Sequence, residues 1–165
     1  MNCDLVVDNF LDSEEGGIDR AGEDALVARA ARVLERRMVK GEPLSDPSAA
    51  GSFLQMRLAT LDREVFLLMF LDTRHRVIAT EVAFMGTIDG AEVHPRVVAQ
   101  MALKHNAAAI ICAHNHPSNH PEPSAADRAV TARLKQALAL LDVRLLDHFV
   151  VTTKGCTSLA ARGWV

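Results

Sequence analysis

Val65–Leu71 reads VFLLMFL, an unbroken apolar run held between Glu64 and Asp72. It is far shorter than the roughly 20 residues a bilayer span requires. It is also apolar at every position, where a strand with one wet face would alternate. A short run of this kind, rich in Val, Phe and Leu, reads as a strand buried on both faces. Such a strand needs neighbours and cover, and the rest of the chain supplies candidates for both.

Thr73–His75 forms a turn, and the β-branched stretch Arg76–Phe84 (RVIATEVAF) is expected to pair antiparallel with the first strand. Ala107–Ala113 (AAAIICA) is a second buried strand, and Asp142–Val150 and Val151–Leu159 read as two more. Gly22–Val39 places Val27, Ala31, Leu34 and Met38 on one side and Arg29, Arg32 and Arg36 on the other, as an amphipathic helix requires. Gly41-Glu42-Pro43 ends it, and PLSDPSAAGS reads as a linker of turn formers before a short helix at Ser52–Leu61. Gly86 to Gly90 breaks the chain. Pro95 opens a helix to about Asn106 with Val97, Val98, Met101 and Ala102 inward, and Ser124–Leu141 is the strongest helical segment. A mixed α/β sheet flanked by helices follows.

At 165 residues the chain suits one domain with a buried core. Its formal net charge of −3 argues against a surface devoted to phosphates, although a local basic patch is compatible with it. The solvated face of a helix is the default for Arg29, Arg32, Arg36 and Arg37. Cys3, Cys112 and Cys156 are odd in number and lack a CxxC pairing, which fits reduced thiols in the cytoplasm. Residues 1–20 are acidic and glycine-containing, so a loose tail is expected, with Leu5–Val7 as a short anchor. Neither a signal peptide nor a membrane span is expected.

The chemistry lies in His114-Asn115-His116-Pro117-Ser118-Asn119-His120-Pro121-Glu122-Pro123-Ser124-Ala125-Ala126-Asp127, where a strand ends and a helix begins. In extended backbone His114 and His116 point the same way, a start for a zinc site that needs a third ligand from elsewhere. Asp127, one turn into the next helix, can reach back. Taken alone, an HxH is a weak sign. Ser124-x-x-Asp127 after Pro123 is equally a capping box, and on spacing alone capping is the favoured reading of that pair. For Asp127, capping and ligation compete.

With its spacing of His-x-His, seven residues, then Ser-x-x-Asp, HNHPSNHPEPSAAD resembles the JAMM (MPN+) metalloprotease signature. GTIDGAEVHPR, LKHNAAAIICAHNHPS and LLDHFVV make the similarity closest to the RadC family, over roughly Leu54 to Val165. The resemblance implies a cytidine-deaminase-like three-layer fold over residues 46–165, preceded by a tail and helix in 1–45. It implies zinc held by His114, His116 and Asp127, and hydrolysis of a peptide or isopeptide bond in a protein or peptide substrate; the rival readings are a DNA-associated protein that uses the zinc for phosphodiester chemistry or structure, and a non-catalytic protein-interaction domain. Ser124 matches the serine that stabilises the oxyanion. The proton-carrying glutamate of such proteins starts an earlier hydrophobic strand; Glu64 is the chosen match and Glu81 the competitor. Asn119 stands where RadC-like sequences usually carry glycine, and asparagine tolerates positive φ. RadC proteins also carry an N-terminal helical module suggestive of DNA binding, for which this sequence has room only for the helix near 22–39.

Several further residues have ordinary expectations. His148, beside Asp147, could orient the site, but a core histidine bonded to backbone is the preferred reading. His94 is expected to be structural, His120 a bystander, and Cys112 a small apolar packer. Ser118 is divided between capping its loop and bonding the site.

Overall fold

The computed structural model describes residues 20–38, 41, 44, 47–86 and 92–165. The expected tail, and most of the break between 86 and 90, lie outside the described residues. The elements are α1 (Arg20–Met38), α2 (Pro47–Leu58), β1 (Val65–Leu71), β2 (Val77–Met85), α3 (Pro95–Lys104), β3 (Ala109–Asn115), α4 (Ala125–Ala139), β4 (Arg144–Thr152) and β5 (Gly155–Ser158). The strands form one mixed sheet in the order β2-β1-β3-β4-β5. Among the described strands only β3 and β4 run parallel, joined by α4 as the crossover.

The apolar run does what its pattern requires. Val65, Leu67, Met69 and Leu71 enter a core with Phe53, Leu54 and Leu58 of α2, joined by Ile111, Ala113 and Val151. Phe66, Leu68 and Phe70 enter a second core with Val98 and Ala102 of α3 and Leu134 and Leu138 of α4. Period-two alternation thus divides β1 between two cores, and the molecule has three layers: α2, the sheet, and the pair α3 and α4. The cytidine-deaminase-like, JAMM/MPN-type architecture is the one observed. Helix α1 lies on α2, where Glu35 binds Arg57 at 2.9 Å and takes a hydrogen bond from Thr80 of β2.

Three boundaries differ from the sequence expectation. Helix α2 begins at Pro47, inside the supposed linker, because proline is tolerated in a first helical turn where its missing N–H has no partner to lose. The last hairpin turns at Thr153-Lys154 rather than at Val150, and Gly155 follows at φ 150°, a backbone region suited to glycine. Strand β3 continues through His114 and Asn115, expected in the loop, since their backbones pair with Val150 and Val151 of β4. The main chain of His116 extends this by donating to Val151 O at 2.9 Å.

Candidate metal centre

Antiparallel pairing of β1 with β3 places Phe66 opposite His114. Carrying that register on by two residues brings Glu64 across from His116. The C-terminal end of β3 therefore meets the start of β1 and the first turn of α4, at the strand ends where α/β folds place their ligands. A cavity of about 660 Å³ opens there, lined by Glu64, Phe66, His114, His116, Ser124 and Asp127 among others.

His114, His116 and Asp127 each turn one ligand atom inward, and the three atoms lie within 4.8 Å of one another. Nε2 of His114 is 3.0 Å from Nε2 of His116 and 3.1 Å from Oδ1 of Asp127. Nε2 of His116 is 3.6 Å from Oδ2 of Asp127. A tetrahedral ion with ligands at ~2.0–2.1 Å keeps them about 3.3 Å apart, so the spacing fits a small metal ion. The donor set fits as well. His116 donates from Nδ1 to the carbonyl of His120 at 2.8 Å, which leaves Nε2 a lone pair when the ring is neutral. His120 thus meets the ligand group through its backbone and is among the residues lining the cavity.

Capping and ligation do not exclude each other at Asp127. Its Oδ2 accepts from the Ser124 amide at 2.6 Å and the Ser124 hydroxyl at 2.7 Å, completing the capping box. Oδ1 still faces His114. The expected conflict disappears because a carboxylate has two oxygens and the N3 position points them to different sides. Burial acts to raise the Asp127 pKa, but hydrogen bonds from His114 and His116 outweigh it and hold the carboxyl well below its ordinary range. The same contact with Asp127 raises His116 above the usual imidazole value.

Glu64 and Glu81 are separated by the fold. Glu64 lines the cavity, and its charge is felt by His116. Glu81 lies in the middle of β2, bound to His105 at 2.7 Å and Lys104 at 3.5 Å, and is not among the cavity residues. Ser124 borders the cavity with its hydroxyl proton given to Asp127. Ser118 and His94 are also in the lining, and His94 meets Phe84 edge-on at 6.0 Å. Asn119 adopts φ 57°, and its side-chain oxygen accepts from the amide and hydroxyl of Thr153, both at 2.9 Å, which ties the motif loop to the last hairpin.

Two residues matter that sequence reasoning missed or misplaced. Asn115, between the histidines, points to the opposite face, where its oxygen accepts from Val65 N at 2.8 Å. Its amide donates to the carbonyls of Leu61 and Arg63 at 3.2 and 2.9 Å. It pins the segment that carries Glu64. Period two signals its direction but not its partners. His148 is bonded to side chains rather than to backbone, contrary to the preferred reading: its Nε2 lies 2.9 Å from Nδ1 of His114, and its Nδ1 2.6 Å from Oγ1 of Thr131. Burial pushes its pKa down to about 3. Neighbouring Asp147 turns away and caps the C-terminal turn through Ser158 and Ala160.

The fold and the site together define a three-layer α/β domain with a His-His-Asp group of metal-ligand spacing at the end of its central parallel strand pair. The RadC-like JAB domain family matches residues 44–164. The chain is 57% identical over 141 residues to a UPF0758 protein of Xanthomonas campestris pv. campestris, covering 86% of this chain and 63% of that one. A UPF0758 protein of Vibrio cholerae is 49% identical over 146 residues, covering 88% of this chain and 92% of its own length. The chain belongs to the RadC family. It spans just under two thirds of the length of its Xanthomonas relatives. No helix among the described residues is long and apolar enough to cross a membrane.

Proposed function

We propose that this domain is a zinc-dependent hydrolase that cleaves a peptide or isopeptide bond in a protein or peptide substrate. The observation that carries this reading is the convergence of His114, His116 and Asp127 on one point of a cavity that Glu64 and Ser124 also border. Two imidazoles and a carboxylate are a donor set that zinc accepts while leaving a fourth position open. Zinc held there supplies Lewis acidity, polarising an amide carbonyl and lowering the pKa of water toward ~7. Glu64, opposite His116, takes a proton from the attacking water at a carboxylate oxygen and delivers it to the leaving nitrogen. Asn115 keeps Glu64 in place by fixing the main chain on either side of it. Ser124 supports the oxyanion once its hydroxyl turns from Asp127 Oδ2 toward the cavity. Two free thiols among the described residues, Cys112 and Cys156, fit a reducing compartment such as the cytoplasm.

Elemental analysis of the purified protein beside His116→Ala and Asp127→Ala tests the reading. Near-stoichiometric zinc is expected in the wild type, with loss from both variants, and peptide or isopeptide cleavage lost in parallel. A wild type that takes up no zinc on reconstitution overturns it. A second reading, DNA association through α1, draws on Arg29, Arg32 and Arg36, which line one depression against Ile78 and Ala79 of β2. A salt-dependent shift of labelled DNA, lost when the three arginines become glutamine, is its test.

A further inference from the structure

Behind the metal ligands runs a chain of side chains that the cleavage chemistry leaves unused. His148 is fully buried on β4, with His114 on one side and Thr131 of α4 on the other. Phe66 closes the space around it, lying parallel to His114 at 6.2 Å and edge-on to His148 at 5.3 Å. Oγ1 of Thr131 in turn lies 2.5 Å from the main-chain oxygen of Asp127.

The last contact gives the chain its direction. A carbonyl oxygen can only accept, so Thr131 gives Asp127 its single hydroxyl proton. Were that proton turned to His148 instead, two oxygens would face each other at 2.5 Å with no hydrogen between them. Threonine inside a helix commonly bonds the carbonyl four residues back, so the local geometry holds this arrangement without help. The hydroxyl oxygen then meets His148 Nδ1 as an acceptor, and Nδ1 carries a proton. The ring of His148 hydrogen-bonds no carboxylate and is sealed from water, so it is neutral and its Nε2 is a lone pair. His114 must therefore donate from Nδ1, which makes Nε2, the nitrogen facing His116 and Asp127, the one that can give up its hydrogen and offer a metal a lone pair.

We propose that Thr131 and His148 are positioning residues which hold His114 in its Nδ1–H tautomer and so prepare it to bind the metal. The relay rests on the metal reading given above. It also closes a ring through Asp127: the carboxylate faces the ligand cluster from one side, and the carbonyl of the same residue directs the protons behind it. In the reverse direction His114 would carry hydrogen on Nε2, at the place the metal must occupy. Partners of this kind typically change metal affinity by 10–100-fold when lost.

The test uses the full chain, with zinc affinity measured by chelator competition in the wild type, Thr131→Val and Thr131→Ser. Valine keeps the shape and removes the hydroxyl, and serine restores it. The expected result is zinc binding weakened about 10–100-fold in T131V and within about threefold of wild type in T131S. Long-range proton–nitrogen NMR of the wild type should show His148 protonated on Nδ1, and this measurement needs no variant to fold. Equal affinity in T131V and wild type, or a His148 protonated on Nε2, overturns the relay while leaving the metal site standing. A wild type that takes no zinc fails the metal reading itself, a result separable from the other two.

Discussion

Beneath α2 the sheet buries Leu67, Met69, Ile111 and Ala113 against Phe53, Leu54 and Leu58. On the other face the same two strands bury Phe66, Leu68, Ile110 and Cys112, and then, at the strand end, His114. The first face is an apolar core sealed by a helix. The second passes from an apolar core into a polar cluster in which His114, His148 and Thr131 are all buried and each is bonded to another of the three. An apolar contact tolerates small displacements, because dispersion is non-directional. A buried polar group left without its partner costs about 1–3 kcal/mol, so the second face has far less freedom. The comparison teaches that apolar packing and the polar contacts of the candidate site are segregated across one sheet, although adjacent residues of the same strands supply both.

If the faces are segregated, substitutions on each should move different observables. The largest effect is expected from Glu64→Gln, which should lower the hydrolysis rate by about 10²–10⁴-fold with zinc content unchanged. Equal loss of zinc and activity would show instead that Glu64 belongs to the metal site. On the other face Leu54→Ala should cost about 2–5 kcal/mol of unfolding free energy in denaturant titration. Zinc affinity of the folded fraction should stay put, and an affinity that falls with stability would erase the distinction.

A third probe is pH. In the metal-free protein the raised pKa of His116 means that its pairing with Asp127 stabilises the fold fully below the unfolded imidazole value of about 6.5. That contribution is lost as pH rises through the higher folded value. Zinc needs the unprotonated ring, so its affinity should fall about tenfold per pH unit as pH drops below the folded pKa of His116. Chelator competition across this range checks it, and a flat profile would exclude proton competition at His116. The smallest effect on stability is expected at Ser124, where alanine removes the helix cap. A loss of about 1 kcal/mol in thermal unfolding should accompany retained zinc.

Much of this architecture is legible in the chain because it depends on local periodicity. The unbroken run Val65–Leu71 required two buried faces whatever its partners, and the alternation of His114 and His116 required both rings on one side. The Ser124-x-x-Asp127 spacing contained both of its roles, since a residue one turn into a helix lies beside the strand end that precedes it. Positive φ at Asn119 was legible through the resemblance, which puts a glycine there, together with asparagine's tolerance of that region. Tertiary structure decided the rest. Whether Glu64 or Glu81 borders the cavity depends on the register of β1 against β3, set by contacts between residues 48 positions apart at Phe66 and His114. His148 reached His114 through parallel pairing with β4, and Thr131 reached His148 through the packing of α4 on that strand. Local sequence specifies the direction in which a side chain points. Which distant group it meets follows only when the strands choose their register and the helices settle on the sheet.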